Sequence, residues 1–131
     1  MLKAHVEASV EFSILLSGFI VKLGLVGLLR LLELATFALV GELVIAACLL
    51  AMFDATCRLF AQIDLKRVVA LTTVLEMNWL TLCFVLGGEA LFALGVFLAI
   101  AHCLTTISEF FLVECLAKRY GTRDIHHITG L

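Results

Sequence analysis

Four runs of apolar residues, each close to the ~20 that a helix needs to cross the hydrocarbon of a bilayer, occupy most of this chain. Their centres fall at Phe12–Leu29, Leu34–Phe53, Val68–Leu86 and Ala90–Val113, and the full spans are expected at roughly 9–31, 34–57, 64–86 and 89–117. Inside hydrocarbon every backbone N–H and C=O must be satisfied by the protein itself, so only helices and closed barrels can span. A barrel needs segments of about ten residues with strict alternation. The run Leu43-Val44-Ile45-Ala46-Ala47-Cys48-Leu49-Leu50 does not alternate, so the expected fold is an all-α integral membrane protein with four transmembrane helices. Composition agrees, with 63% apolar residues, 15% charged residues and no proline in 131 positions. A net charge of −2 supplies no basic field, so membrane lipids are expected as partners and nucleic acid is not.

Polar breaks at Arg30–Glu33, Asp54–Arg67 and Gly87–Glu89, then a tail from Lys118, separate the spans. Connections this short give an up-down-up-down arrangement in a single unit, residues 1–131. The amino end, the middle break and the tail then share one side, with Lys3, Arg58, Lys66, Arg67, Lys118, Arg119 and Arg123, against Arg30 alone on the other. The positive-inside rule predicts both termini on the cytoplasmic or matrix side. No cleavable leader is expected from Met1 to Glu7. Cys48, Cys57, Cys83, Cys103 and Cys115 lie singly in apolar surroundings, without metal-ligand spacing, and read as small buried hydrophobes.

The residues a membrane should reject carry the functional information: Lys22 in the first span, Glu42 in the second, Glu76 in the third, His102 and Glu109 in the fourth. At ~1.5 Å per residue, Lys22, Glu76 and His102 lie at nearly the same depth. Lys, Glu and His can each take and release a proton, so the three suggest a lateral proton track. The plainer alternative is a Lys–Glu tie between helices, with His102 bonded to a neighbouring Ser or Thr. Glu109, two turns beyond His102, either extends the track or pairs locally. Glu42 and Asp54 are nearer span ends and read as structural. Gly18, Gly24 and Gly27 signal close packing or a local irregularity. His126 and His127 beside Asp124 read as a solvated tail, Tyr120 as an interface anchor and Trp79 as a packed side chain.

Several blocks, in order, resemble the antiporter-like proton-translocating subunits of respiratory complex I, and within them the subunit 4 family. Lys3-Ala4-His5-Val6-Glu7-Ala8 is similar to PKAHVEAP, and Lys22-Leu23-Gly24 with Gly27-Leu28-Leu29-Arg30 to LLKLGxYGxxR. Gln62-Ile63-Asp64-Leu65-Lys66-Arg67-Val68-Val69-Ala70-Leu71-Thr72-Thr73-Val74 resembles QxDLK(K/R)LIAYSSV. Ala101-His102 resembles AHG, and Arg119, Thr122 and Arg123 the end of YxRxHTR. The resemblance implies that Lys22 is the membrane-centre lysine of a proton half-channel, His102 a histidine on the central polar axis and His5 a histidine at the start of the lysine helix. Four departures stand out. Glu76 replaces the histidine of SHM, Ser9 the proline after HVEA, Cys103 the glycine after His102 and Gly121 the histidine before Thr122.

Full members of the family have about fourteen helices, so the chain is expected to be a fragment, with separate polypeptides supplying the missing ones. Implied further are other complex I membrane-arm subunits as partners, a place in the mitochondrial inner membrane rather than a bacterial plasma membrane, and activity only as part of H+-translocating NADH:ubiquinone reductase. No cofactor is expected in this chain, since NAD, FMN, iron–sulfur clusters and ubiquinone would bind elsewhere in the complex. The competing readings are a small four-helix proton-coupled multidrug transporter working around Glu76, the homologous subunit of a cation/proton antiporter or membrane hydrogenase, and a structural subunit whose channel has decayed.

Overall fold

The computed structural model describes residues 7–34 and 38–128. Helix α1 (Val10–Leu15) runs through a π turn (Leu16–Ile20) into α2 (Val21–Leu34), and these three pieces make the first span. The others are α3 (Ala38–Leu59), α4 (Leu65–Leu86) and α5 (Glu89–Tyr120), followed by a 3-10 turn at Ile125–His127. Among the described residues, four helices are thus long and apolar enough to cross a membrane, at Val10–Leu31, Leu39–Leu59, Leu65–Leu86 and Glu89–Tyr120. The chain is a multi-pass membrane protein with the expected all-α fold.

Two of the expected polar breaks are largely helical: Arg30–Glu33 lies wholly within α2, and most of Asp54–Arg67 within α3 and α4. Asp54 and Arg58 stand four residues apart and pair at 2.8 Å, an arrangement that supports a helix, so α3 continues to Leu59. The Asp64 carboxylate then accepts from the Lys66 backbone N–H at 2.9 Å and starts α4 just five residues later. At the other end of the chain Lys118 pairs with Glu114 at 3.0 Å and carries α5 on to Tyr120.

Other helix ends have equally local causes. Ser9 caps α1, its Oγ accepting from the Phe12 backbone N–H at 3.3 Å. The α4–α5 hairpin turns on Gly87 (φ 73°) and Gly88 (φ 92°), conformations a side chain at either position would strain. Gly121, with φ 69°, closes α5 in the left-handed conformation and its N–H bonds the Ala117 carbonyl at 2.9 Å.

Helix α4 is the centre of the packing, against α3 on one side and α5 on the other, while α1 and the π turn lie against α5. Within its most apolar stretch 44% of residues are buried, compared with 11% in α3 and 17% in α5, which leave most of their apolar surface for lipid or neighbouring protein. A core of Val69, Phe110 and Val113, covered by Val10, Ile14 and Leu65, ties α1, α4 and α5 together at one end of the bundle.

That same end holds a fastening the sequence does not announce. Lys66, one of the basic residues of the expected Asp54–Arg67 break, is only 2% exposed, and its Nζ donates to the Ala8 carbonyl at 2.5 Å. The chain after α5 returns to the start of α4: Leu65 N–H bonds the Arg123 carbonyl at 3.1 Å and Ile125 N–H bonds the Ile63 carbonyl at 3.0 Å. One lysine and one backbone bridge therefore join the segments before α1, before α4 and after α5.

Two further expectations are corrected. Cys48 and Cys83 are buried, but Cys57 and Cys115 are exposed and Cys103 is half-buried, because α3 and α5 turn broad faces outward. Trp79 does not pack within the bundle; it is 56% exposed on the outer side of α4. Closer contact occurs at Gly95, where a Cβ would meet the Phe84 ring at 2.8 Å. Phe84 in turn stands edge-on to Phe92 at 5.4 Å, which limits where its ring can go. Gly95→Val is expected to destabilise the α4–α5 hairpin by about 1–3 kcal/mol, the usual effect of overpacking. The check is thermal unfolding in detergent: the loss should shrink in a Phe84→Ala background, and an equal loss in both backgrounds would refute the contact.

Candidate functional site

Lys22, Glu76 and His102 stand on α2, α4 and α5, the thirteenth, twelfth and fourteenth residues of their spans. At 1.5 Å per residue each is about 16–20 Å along its helix, the middle of the hydrocarbon. The fold brings the three together from separate spans.

His102 is 3% exposed, and its Nδ1 touches a carboxylate oxygen of Glu76. Its Nε2 is buried with no hydrogen-bond partner among the described residues. The hydroxyls of Thr105 and Thr106 do not serve the ring; they donate to the His102 backbone carbonyl at 3.1 and 2.7 Å. Of the two partners expected for His102, a hydroxyl and a titratable group, the structure supplies the second. A carboxyl against an imidazole nitrogen can share or pass one proton without an intervening water.

Glu76 has a second face. Its side chain is 46% exposed, and Glu76 lines, with Trp79, Leu80, Cys83, Leu94, Leu98 and His102, an almost wholly apolar groove of about 600 Å³ between α4 and α5.

Lys22 makes no ion pair with Glu76. Instead its Nζ donates to the Ser17 carbonyl at 2.8 Å, within the π turn that joins α1 to α2. Five-residue turns of this kind disturb the regular ladder of helix hydrogen bonds and recur at functional sites. Gly18, expected to mark close packing or a local irregularity, lies within it. Gly18 also lets α5 come close: a Cβ there would rest 3.6 Å from Cys103 Sγ. Half-buried on this side of α5, Lys22 lies within electrostatic reach of Glu76, Cys103 and His102.

The remaining expected residues are peripheral to that cluster. Glu109 is half-buried, feels the charge of Glu76 and makes no ion pair among the described residues. His5 lies outside the described residues. Glu42 is exposed near the start of α3, and His126 and His127 are exposed, with His127 Nδ1 3.9 Å from Asp124. Among the described residues no three His, Cys, Asp or Glu side chains cluster as a metal site would require.

The family described as NADH:quinone oxidoreductase/Mrp antiporter, transmembrane, matches this chain over residues 1–131. The chain belongs to that family. Among curated proteins it is similar to NADH-ubiquinone oxidoreductase chain 4 of Paramecium tetraurelia, 40% identical over 98% of this chain and 27% of the relative. The chain 4 proteins of Acanthamoeba castellanii and Chlamydomonas reinhardtii are 34% and 35% identical, again over 98% of this chain, with 27% and 30% of their own lengths covered. The resemblance to subunit 4 carried by the motif blocks is thereby borne out, and the chain spans between a quarter and a third of the length of these relatives. Within the NADH:quinone oxidoreductase/Mrp antiporter family, each departure noted above has a local structural role. Ser9 caps α1, Gly121 closes α5, Cys103 seats its sulfur over the π turn at Gly18, and Glu76 meets His102.

Proposed function

We propose that this chain is a stretch of the proton-translocating membrane arm of NADH:ubiquinone oxidoreductase, standing where subunit 4 stands in its relatives, in the mitochondrial inner membrane with both termini on the matrix side. The observation that supports it most is the contact between Glu76 and His102 at mid-depth, with Lys22 in electrostatic reach. In this reading the chain carries no electron-transfer group of its own, and NAD, FMN, iron–sulfur clusters and ubiquinone bind elsewhere in the complex. Its own residues hold and move protons. Glu76 and His102 Nδ1 exchange a proton, and a positive charge on Lys22 opposes a second on the imidazole, so loading one site empties the other. Glu109 continues the path along α5, and His5 is a further residue of the proton-translocating set. Separate polypeptides packed alongside supply the helices beyond this stretch.

The experiment is mass spectrometry of the gently solubilised native complex that carries this chain, paired with its NADH:quinone activity. Complex I subunits together with separate polypeptides bearing the missing helices are expected. One continuous full-length subunit 4 in their place would overturn the split arrangement, and a homodimer free of respiratory subunits would favour a small transporter built around Glu76.

A further inference from the structure

The backbone ladder of the first span slips by one residue just before Lys22. In the π turn the Val21 N–H reaches five residues back to the Leu16 carbonyl, where an α-helix would have aimed it four back at Ser17. Ser17 is fully buried, and its own hydroxyl is turned to the Ser13 carbonyl at 2.8 Å. The donor that arrives at the Ser17 carbonyl is the Lys22 ammonium, also at 2.8 Å. Side chains on a helix lean toward its N-terminus, so a lysine five residues on is well placed to reach back. The turn itself is held from the side. It packs against α5, where a Cβ on Gly18 would rest 3.6 Å from Cys103 Sγ.

We propose that Ser17 is a positioning residue for Lys22: the π turn presents its carbonyl as the acceptor that holds the ammonium off Glu76. That role rests on Lys22 carrying protons, and it supplies what fixes the group between transfers. An ammonium with Glu76 in electrostatic reach and no other acceptor would close a salt bridge in a low-dielectric interior, and so tight a pair gives up its proton poorly. Bonded to a neutral carbonyl, the ammonium is satisfied without being captured, and it stays within reach of both Glu76 and His102. The absence of a Lys22–Glu76 ion pair among the described residues then follows from the turn. A regular α-helix through Leu16–Ile20 would give the Ser17 carbonyl to the backbone instead.

The test removes the slip. A π turn carries one residue more than the α turn it replaces, so deleting Phe19, whose side chain is 61% exposed, restores a four-back ladder while α1 and α2 keep their facing. The Lys22 backbone N–H then lies four residues from Ser17 and takes its carbonyl, and the ammonium is left without it. In the intact complex, proton uptake driven by NADH oxidation should fall about tenfold, the scale of one misplaced proton-transfer group, with complex content near normal. Phe19→Ala keeps the length of the turn and should pump normally. The deletion combined with Lys22→Ala should pump no worse than Lys22→Ala alone, because the turn acts through that side chain. Normal uptake in the deletion, a further loss in the combination, or a complex that no longer assembles would each overturn the positioning role. A second arm pins the turn at its present length: Gly18→Cys, oxidised onto Cys103, should leave uptake intact. A loss reversed by reductant would reveal a moving part in place of a fixed holder, and would overturn the role as well. Normal pumping in Lys22→Ala would remove the reading of Lys22 as a proton carrier, whereas a failing Lys22→Ala beside a pumping deletion counts against the positioning role alone.

Discussion

Replacing Lys22 by alanine is expected to cut proton uptake driven by NADH oxidation about tenfold or more, the scale of losing one positioned proton-transfer group, with assembled complex near its normal amount. The structure separates the two readouts because Lys22 ties nothing distant together. Its Nζ meets a carbonyl five residues back in its own span, at 2.8 Å, so truncation removes one charged donor from a carbonyl of the same span. That costs about 1–3 kcal/mol locally and leaves the contacts between spans in place. Lys22→Arg sharpens the test. It keeps the positive charge beside Glu76 and His102 but cannot release its proton within a protein. If Lys22 acts by titrating, arginine should pump as poorly as alanine; if it acts only as a fixed charge, arginine should restore pumping. Normal pumping in Lys22→Ala would refute the proposed role. The measurement is uptake in reconstituted vesicles, normalised to complex content.

Lys66→Met should do the opposite, lowering the amount of assembled complex while leaving pumping per assembled complex unchanged. This lysine is 2% exposed and bonds the carbonyl of Ala8, 58 residues away in sequence, beside the bridge that holds the tail to the start of α4. Losing a buried hydrogen bond to a charged group costs about 1.5–3 kcal/mol, which lowers the folded population roughly ten- to a hundredfold where stability is marginal. Quantitative native electrophoresis, with activity measured per complex, reads both quantities. A fall in pumping per complex at normal assembly would instead place Lys66 on the proton path. The two lysines differ in what their ammonium groups touch: one faces the titratable cluster, the other fastens helix ends.

The sequence surroundings flag the first of those two jobs and hide the second. Lys22 lies in a long apolar run, so its cost in a membrane marks it at once. Lys66 lies in a polar stretch with Asp64 and Arg67, and a charge there reads as solvated. Its burial depends on where the segment before α1 ends up, which no local pattern encodes. Likewise Asp54 and Arg58 resemble loop charges until their four-residue spacing places them side by side on a helix.

By itself the sequence determined the number of spans, the helical rather than barrel solution, and the shared depth of Lys22, Glu76 and His102. Hydropathy over ~20 residues and a rise of 1.5 Å per residue are properties of the chain alone. It also carried the family, through blocks whose order and spacing survive without any structure. Azimuth was decided by the tertiary structure. Which way a residue faces around its helix sets its partner, each residue turns the helix by about 100°, and the π turn at Leu16–Ile20 changes that rotation just before Lys22. Glu76 therefore pairs with His102 while Lys22 turns back to Ser17, and nearly half of the Glu76 side chain stays exposed. Depth follows from counting along one strand of sequence, but contact depends on rotations and close approaches that exist only once the helices have packed.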